Sequence, residues 1–107
     1  MPVKISIAED YTMTPGGRLI SEGPFSGEEF REKILLPAFE EAVQRNTQLI
    51  VDLDGGYGYG SSFLDESFGG LARKLHNPKI RDIVIISKEE PELIEKIKRY
   101  IEDGLKG

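Results

Sequence analysis

Leu49 to Leu53 is a short, nearly continuous apolar run that ends abruptly in Asp54-Gly55-Gly56. So short a run, bounded by a turn, suits a strand rather than a helix, and its apolar density predicts a central strand covered on both faces. Gly55-Gly56-Tyr57-Gly58-Tyr59-Gly60-Ser61-Ser62 then feeds a segment in which Leu64, Phe68, Leu71 and Leu75 recur at helical spacing until Asn77-Pro78 stops it. A strand handing over to a helix through a loop is the repeating unit of α/β folds, so the flanking segments are read against that plan.

They fit it. Val3, Ile5 and Ile7 alternate with Lys4, Ser6 and Ala8, as in an edge strand buried on one face. Thr14-Pro15-Gly16-Gly17 reads as a turn, and Arg18 to Ser21 as a short second strand. Ser26 with Glu29 three residues on forms a capping-box pattern, after which Phe30, Ile34, Ala38 and Ala42 with Leu35, Phe39 and Val43 make one wide apolar stripe. Pro37 interrupts that helix: it cannot donate to the Lys33 carbonyl and clashes with it, which predicts a kink or break near Leu36. Ile83 to Ile86 reads as another buried strand. Pro91 then opens a last helix with Leu93, Ile94, Ile97 and Ile101 inward and the pairs Glu92/Lys96 and Glu95/Arg99 on its surface. The expected fold is a single α/β domain over 1–107, a sandwich of a mostly parallel sheet of about four strands packed with three main helices. In such sheets ligands and partners sit beyond the carboxyl ends of the strands, where the loop from Asp54 to Ser62 lies.

Composition excludes several functions. Without cysteine there is no disulfide framework, thiolate metal site or thiol nucleophile, and a reducing, cytoplasmic location is expected. No apolar run is long enough to span a bilayer, so no membrane role is expected. Fourteen basic residues against 19 acidic ones give a net charge of −5, with no basic stripe to track phosphates, so nucleic acid is not an expected partner.

Within the loop, each residue has a plain and a functional reading. Ser62, with Asp65 three residues on, has the pattern of a helix N-cap; if the helix starts one residue earlier, Ser61 takes that role. A phosphoserine at either position would be stabilised by the unpaired N–H groups and positive end of the helix, and its charge would repel an acidic partner. The glycines fit neither the dinucleotide fingerprint nor the P-loop, though their amides offer a small anion or nucleotide site as the alternative function. Tyr57 and Tyr59 either project as interface anchors or fold back onto the domain. Asp52, Asp54, Asp65 and Glu66 form an oxygen-rich set, but Asp65 and Glu66 also suit a first helical turn and Asp52 can pair with Arg18; no metal is expected. His76 is the only histidine and lies about four helical turns from Ser61, roughly 20 Å, which rules out an intrahelical dyad. Gly69-Gly70 inside a helix predicts close approach of another backbone, within the domain or across an interface.

Gly16-Gly17-Arg18, Ser26-Gly27-Glu28, Asp52-Leu53-Asp54-Gly55 and above all Gly60-Ser61-Ser62-Phe63-Leu64-Asp65-Glu66-Ser67-Phe68-Gly69 resemble the bacterial STAS-like family of unknown function. The resemblance spans most of the chain and extends in architecture to the STAS domains of sulfate transporters and anti-sigma-factor antagonists. In the antagonists the loop typically reads Asp-Ser-Ser-Gly, whereas here Gly60 precedes the serines and Phe63 follows them. The resemblance implies a non-catalytic, regulatory protein-binding module without cofactor. Its binding face is expected at Asp54, Tyr57, Tyr59, Ser61, Ser62, Phe63, Asp65 and Glu66, with Ser61 and Ser62 as candidate phosphoacceptors. The implied partner is a protein regulator such as a histidine-kinase-like ATPase.

Overall fold

The computed structural model describes all 107 residues. Strand β1 (Val3–Ser6) leads directly into a one-turn helix α1 (Ile7–Asp10), so the apolar alternation ends one residue before Ile7. Ser6 forces the change: its hydroxyl accepts from Glu9 N at 3.2 Å while its own N–H donates to Asp10 Oδ2 at 2.7 Å. Helix α2 (27–44) is α-helical over Gly27–Phe30, makes one π-turn over Arg31–Leu35, and resumes as α-helix over Leu36–Gln44. The π-turn is how the chain absorbs Pro37, whose missing N–H leaves the ladder one bond short at the expected place. After β2 (Leu49–Asp52), helix α3 (61–75) repeats the device, with α-helix over Ser61–Leu64, a π-turn over Asp65–Gly69 and α-helix over Gly70–Leu75. A 3₁₀ segment (Pro78–Asp82), β3 (Val84–Ile86) and the 15-residue α4 (Glu92–Lys106) complete the chain.

The class is α/β as expected, with three strands. All are parallel, in the order β1-β2-β3, with Ile5 opposite Val51 and Val51 opposite Ile85. The second strand expected at Arg18–Ser21 does not form. Its N–H groups are taken by carboxylates instead: Glu22 accepts from Arg18 N at 3.0 Å and Leu19 N at 2.8 Å, Glu28 from Ile20 N at 2.9 Å, and the chain turns through a 3₁₀ helix, Ile20–Glu22. When neighbouring parallel strands follow in sequence, right-handed crossovers put both connecting helices on one face. Consequently β2 alternates rather than being covered on both sides. Leu49, Val51 and Leu53 are buried, while Ile50 and Asp52 remain partly exposed. For the same reason Val84–Ile86 is a half-exposed edge, not a buried strand.

A core of 19 buried apolar residues joins the covered face to the helices, with Phe30, Phe63 and Phe68 at its centre. Gly69 and Gly104 bring α3 and α4 together: a Cβ on Gly104 would stand 2.6 Å from Gly69 O and 2.8 Å from Ala72 Cβ. The close backbone approach expected of Gly69 is therefore internal. On α4, neither Glu92/Lys96 nor Glu95/Arg99 forms an ion pair. Glu102 instead reaches Arg81 at 2.6 Å.

Candidate functional site

The loop after β2 is clamped from beneath by its own carboxylates. Asp52 Oδ1 accepts from Asp54 N at 2.9 Å, and the Asp54 carboxylate accepts from Lys88 N and Glu89 N, each at 3.0 Å. Those two N–H groups hold the Asp54 carboxyl below the usual carboxylate range. Glu89 returns the contact by accepting from Gly55 N at 3.0 Å, so the turn between β3 and α4 is tied to the loop at two points.

The two tyrosines part company. Tyr59 folds back, its hydroxyl donating to Leu53 O at 2.8 Å and its ring 5.9 Å from that of Phe63. Burial, reinforced by the nearby Asp52 and Asp54 charges, raises its pKa and keeps it a neutral structural group. Tyr57 projects, with 82% of its surface exposed, while its N–H donates to Met13 O at 2.8 Å and fastens the loop to the segment after α1.

Gly60, with extended backbone angles, is the N-cap of α3, so Ser61 and Ser62 are its first two helical residues. The expected N-cap at Ser62 is not formed. Neither serine hydroxyl caps the helix, both serines are exposed, and the Asp65 carboxylate that would have completed a box points elsewhere. Phe63, expected on the binding face, is fully buried, its ring 5.9 Å from Phe30 and 6.5 Å from Tyr11. It positions the serines from below and offers no surface to a partner.

Asp65 and Glu66 are likewise engaged within the fold. Arg18 Nη1 lies 2.7 Å from Asp65 Oδ2 and 3.3 Å from Glu66 Oε1, and Arg73 Nη1 is 3.3 Å from Asp65 Oδ1. Burial alone would raise the Asp65 carboxyl; the bonds from Arg18 and Arg73 outweigh it and hold it low. Arg18 thus pairs with α3 rather than with Asp52, and no three carboxylate or imidazole groups converge as a metal ion requires. Glu66 also accepts from Arg31 through Oε2 and through its backbone carbonyl at 3.1 Å, so each π-turn supplies one partner of a largely buried ion pair. Gly70 leaves room there for the Arg31 guanidinium, which a Cβ at that position would displace. Two residues of this centre, Arg31 and Ser67, are not among the site residues singled out from the sequence. Arg31 lies within the apolar stripe of α2, and that misplaced charge is its one signal. Ser67, fully buried, donates to Phe63 O at 2.8 Å, with Gly27 O at 3.3 Å, where the starts of α2 and α3 cross.

The segments that carry the resemblance therefore meet in space. Gly17 O accepts from Gly27 N and Arg18 O from Glu28 N, both at 2.9 Å, and the Arg18 side chain completes the link to α3. His76 ends α3 in a left-handed conformation (φ 49°), at the far end of the helix from the serines. A cleft of about 540 Å³ opens at the amino ends of the strands between Phe39, Val43, Asn46, Lys79 and Asp82, away from the loop. No helix is long and apolar enough to cross a membrane. No curated protein and no solved structure matches the chain. Residues 26–93 match the family described as a STAS-like domain of unknown function (DUF4325). That span covers both π-turned helices, the clamped loop and the charged centre between them, and the chain belongs to this STAS-like family.

Proposed function

We propose that the chain is a non-catalytic regulatory module that binds a protein partner through the loop from Asp54 to Ser62 and the start of α3. The observation that carries this reading is the pairing of an exposed Tyr57 with two exposed serines whose hydroxyls are bonded to nothing else in the fold. Tyr57 supplies apolar area with a polar tip, the usual makeup of an interface anchor. Ser61 and Ser62 sit where a phosphoryl group would be stabilised by the helix N-terminus, and its added charge would change what docks there. Asp54 and Tyr59 hold this face in shape from beneath, and Asp65 and Glu66 fix it to Arg18 and Arg31. By the resemblance to anti-sigma-factor antagonists, the partner is a protein regulator such as a histidine-kinase-like ATPase, met in the cytoplasm.

Two observations weigh against the alternative of a small anion or nucleotide sensor. Gly55 N is already bonded to Glu89 and Tyr57 N to Met13 O, so the loop has spent amides that a phosphate cradle would need. An enzyme reading lacks a base: no imidazole or carboxylate is bonded to either serine hydroxyl.

The test is a pull-down from native extract with wild-type protein, Tyr57→Ala and Ser61→Asp/Ser62→Asp, with mass spectrometry for partners and for phosphate. A protein captured by wild type and lost by both variants, with circular dichroism unchanged, supports the reading. Capture of nothing by wild type, together with absence of phosphate, overturns it.

A further inference from the structure

Six large apolar side chains are exposed, and apart from Met1 at the chain start they occupy two segments: Met13 (49%), Leu19 (39%), Ile20 (52%) and Phe25 (42%) in one, Tyr57 (82%) in the other. The structure joins these segments. Tyr57 N donates to Met13 O at 2.8 Å, and Gly16 N donates to Phe25 O at 2.8 Å, closing the loop that carries Leu19 and Ile20. Phe25 has φ 58°, a region that glycine or asparagine fills at little cost and a bulky aromatic seldom enters. An aromatic ring is thus kept at the surface where the backbone would favour a residue without one. Its inner edge rests on Tyr11, 5.7 Å between ring centroids, and its outer part meets solvent.

Around this apolar surface the charge is predominantly negative, although Glu29 and Asp65 are met by Lys33 and Arg73. Residues 7–29, 52–66 and 87–91, which form the carboxyl end of the sheet and the starts of both helices, hold eleven carboxylates and two basic residues, Arg18 and Lys88. The rest of the chain holds eight acidic and twelve basic residues, so the negative charge of the molecule is concentrated at this end. Arg18 is committed to Asp65 and Glu66. The Asp54 carboxylate, at the middle of this surface, accepts from the Glu89 and Lys88 N–H groups, which hold it below the usual carboxylate range.

We infer that this end of the molecule docks a protein segment that presents apolar anchors flanked by Lys or Arg, an inference that rests on the protein-binding reading above and names the chemistry of the partner. The apolar side chains supply the dry centre of such an interface, and the carboxylates supply a rim that steers and selects a basic segment. The same field disfavours the other occupants. Nucleic acid and anionic lipid surfaces are repelled by it. A second copy related by a two-fold axis would set like charge against like charge.

The experiment places the photocrosslinker p-benzoylphenylalanine at Tyr57 of the full chain in its native cells and identifies the captured peptide by mass spectrometry. That peptide is then synthesised and its affinity measured across salt concentrations. A captured segment rich in Lys or Arg, whose affinity falls about tenfold or more between low and high salt and again on Phe25→Asn, is the expected result. Asparagine accepts the positive φ, so Phe25→Asn removes the ring while keeping the backbone; Ile20→Ser at the loop tip is the second variant should the first fail to fold. A captured acidic or uncharged protein segment, or an affinity indifferent to salt, overturns the inference and leaves the protein-binding reading standing. Capture of nothing, of nucleic acid or of this chain itself overturns both.

Discussion

Arg31 and Glu66 show how much of this fold rests on single contacts between residues distant in sequence. Both side chains are largely withdrawn from water, at 10% and 15% exposure. Removing the Glu66 charge leaves the buried Arg31 with only its longer carboxylate contact, to Glu32 at 3.4 Å, so Glu66→Gln is expected to cost about 3 kcal/mol in urea denaturation. Arg31→Met/Glu66→Leu, which removes both charges, is expected to recover more than half of that loss. Equal instability of the two variants would mean that the pair contributes packing only. A pairing 35 residues apart has no local pattern, which is why the sequence does not name the partner of Arg31 or show that Gly70 makes room for its side chain, whereas the capping serine at Ser26 is legible and is found, its hydroxyl accepting from Glu29 N at 3.0 Å. Even there the second half of the box is redirected. The Glu29 carboxylate faces Lys33 at 2.8 Å and the Tyr11 hydroxyl at 3.1 Å, and these two donors, Lys33 first, hold its pKa low. Ser62 was open to a similar misassignment, and its correction is directly measurable. With Gly60 as the cap, Ser62→Ala is expected to change stability by less than about 0.5 kcal/mol, whereas a capping serine would lose about 1 kcal/mol; Gly60→Ser is expected to gain a few tenths.

At the scale of elements, periodicity locates what is locally encoded and fails where neighbours decide. The stripes of α2, α3 and α4 and the strands β1, β2 and β3 are all readable from apolar spacing, and Pro37 marks the interruption of α2. The π-turn of α3 has no proline to betray it; the Arg31–Glu66 pair and the Gly69–Gly104 approach fall within or beside it. Arg18 to Ser21 looks like a strand because its side chains suit one, yet three carboxylate bonds to its backbone leave it no partner strand. The one-sided sheet makes a sharp contrast between adjacent positions of β2. Val51→Thr buries a hydroxyl in the core and is expected to cost about 1–3 kcal/mol, while Ile50→Thr on the partly exposed face is expected to cost well under 1 kcal/mol. Comparable losses at both positions would show that the second face is covered in solution, as the apolar density of the run first suggested.

For the whole molecule, the carboxyl end of the sheet couples shape to protonation. Asp54, Glu29 and Asp65 all have folded-state pKa values depressed below their ordinary ones. The unfolded chain therefore binds more protons than the folded one as pH falls through the ordinary carboxylate range, about pH 4, and stability drops with acidification until the depressed groups also protonate. Above that range the contribution is fully present and pH-independent. Urea midpoints measured from neutral to acid pH are expected to fall on the acid side, and Asp54→Ala is expected to flatten part of that fall because its clamp on Lys88 and Glu89 is already gone. A wild-type profile without an acid limb would contradict the assignment. The general location of the proposed site follows from the sequence, since the carboxyl end of a parallel sheet is where such folds bind; which side chains face outward does not, because the fates of Tyr57, Tyr59 and Phe63 depend on what lies beneath the loop.

The sheet contains no antiparallel pair. Val3 registers with Leu49, and Ile50 with Val84, so each pairing closes a crossover of more than thirty residues and no hairpin is available to seed it. The helix pair starts from a shorter connection: only residues 76–91 separate the end of α3 from the start of α4, and contact then extends to Gly69 and Gly104, where the two touch backbone to backbone. Refolding should accordingly begin with the docking of α4 on α3, β3 between them being the first strand placed, and end with the capture of β1 by β2. Pulse-labelling by hydrogen exchange during refolding is expected to protect amides of 68–75 and 97–104 before those of 3–6, and the reverse order would exclude this route.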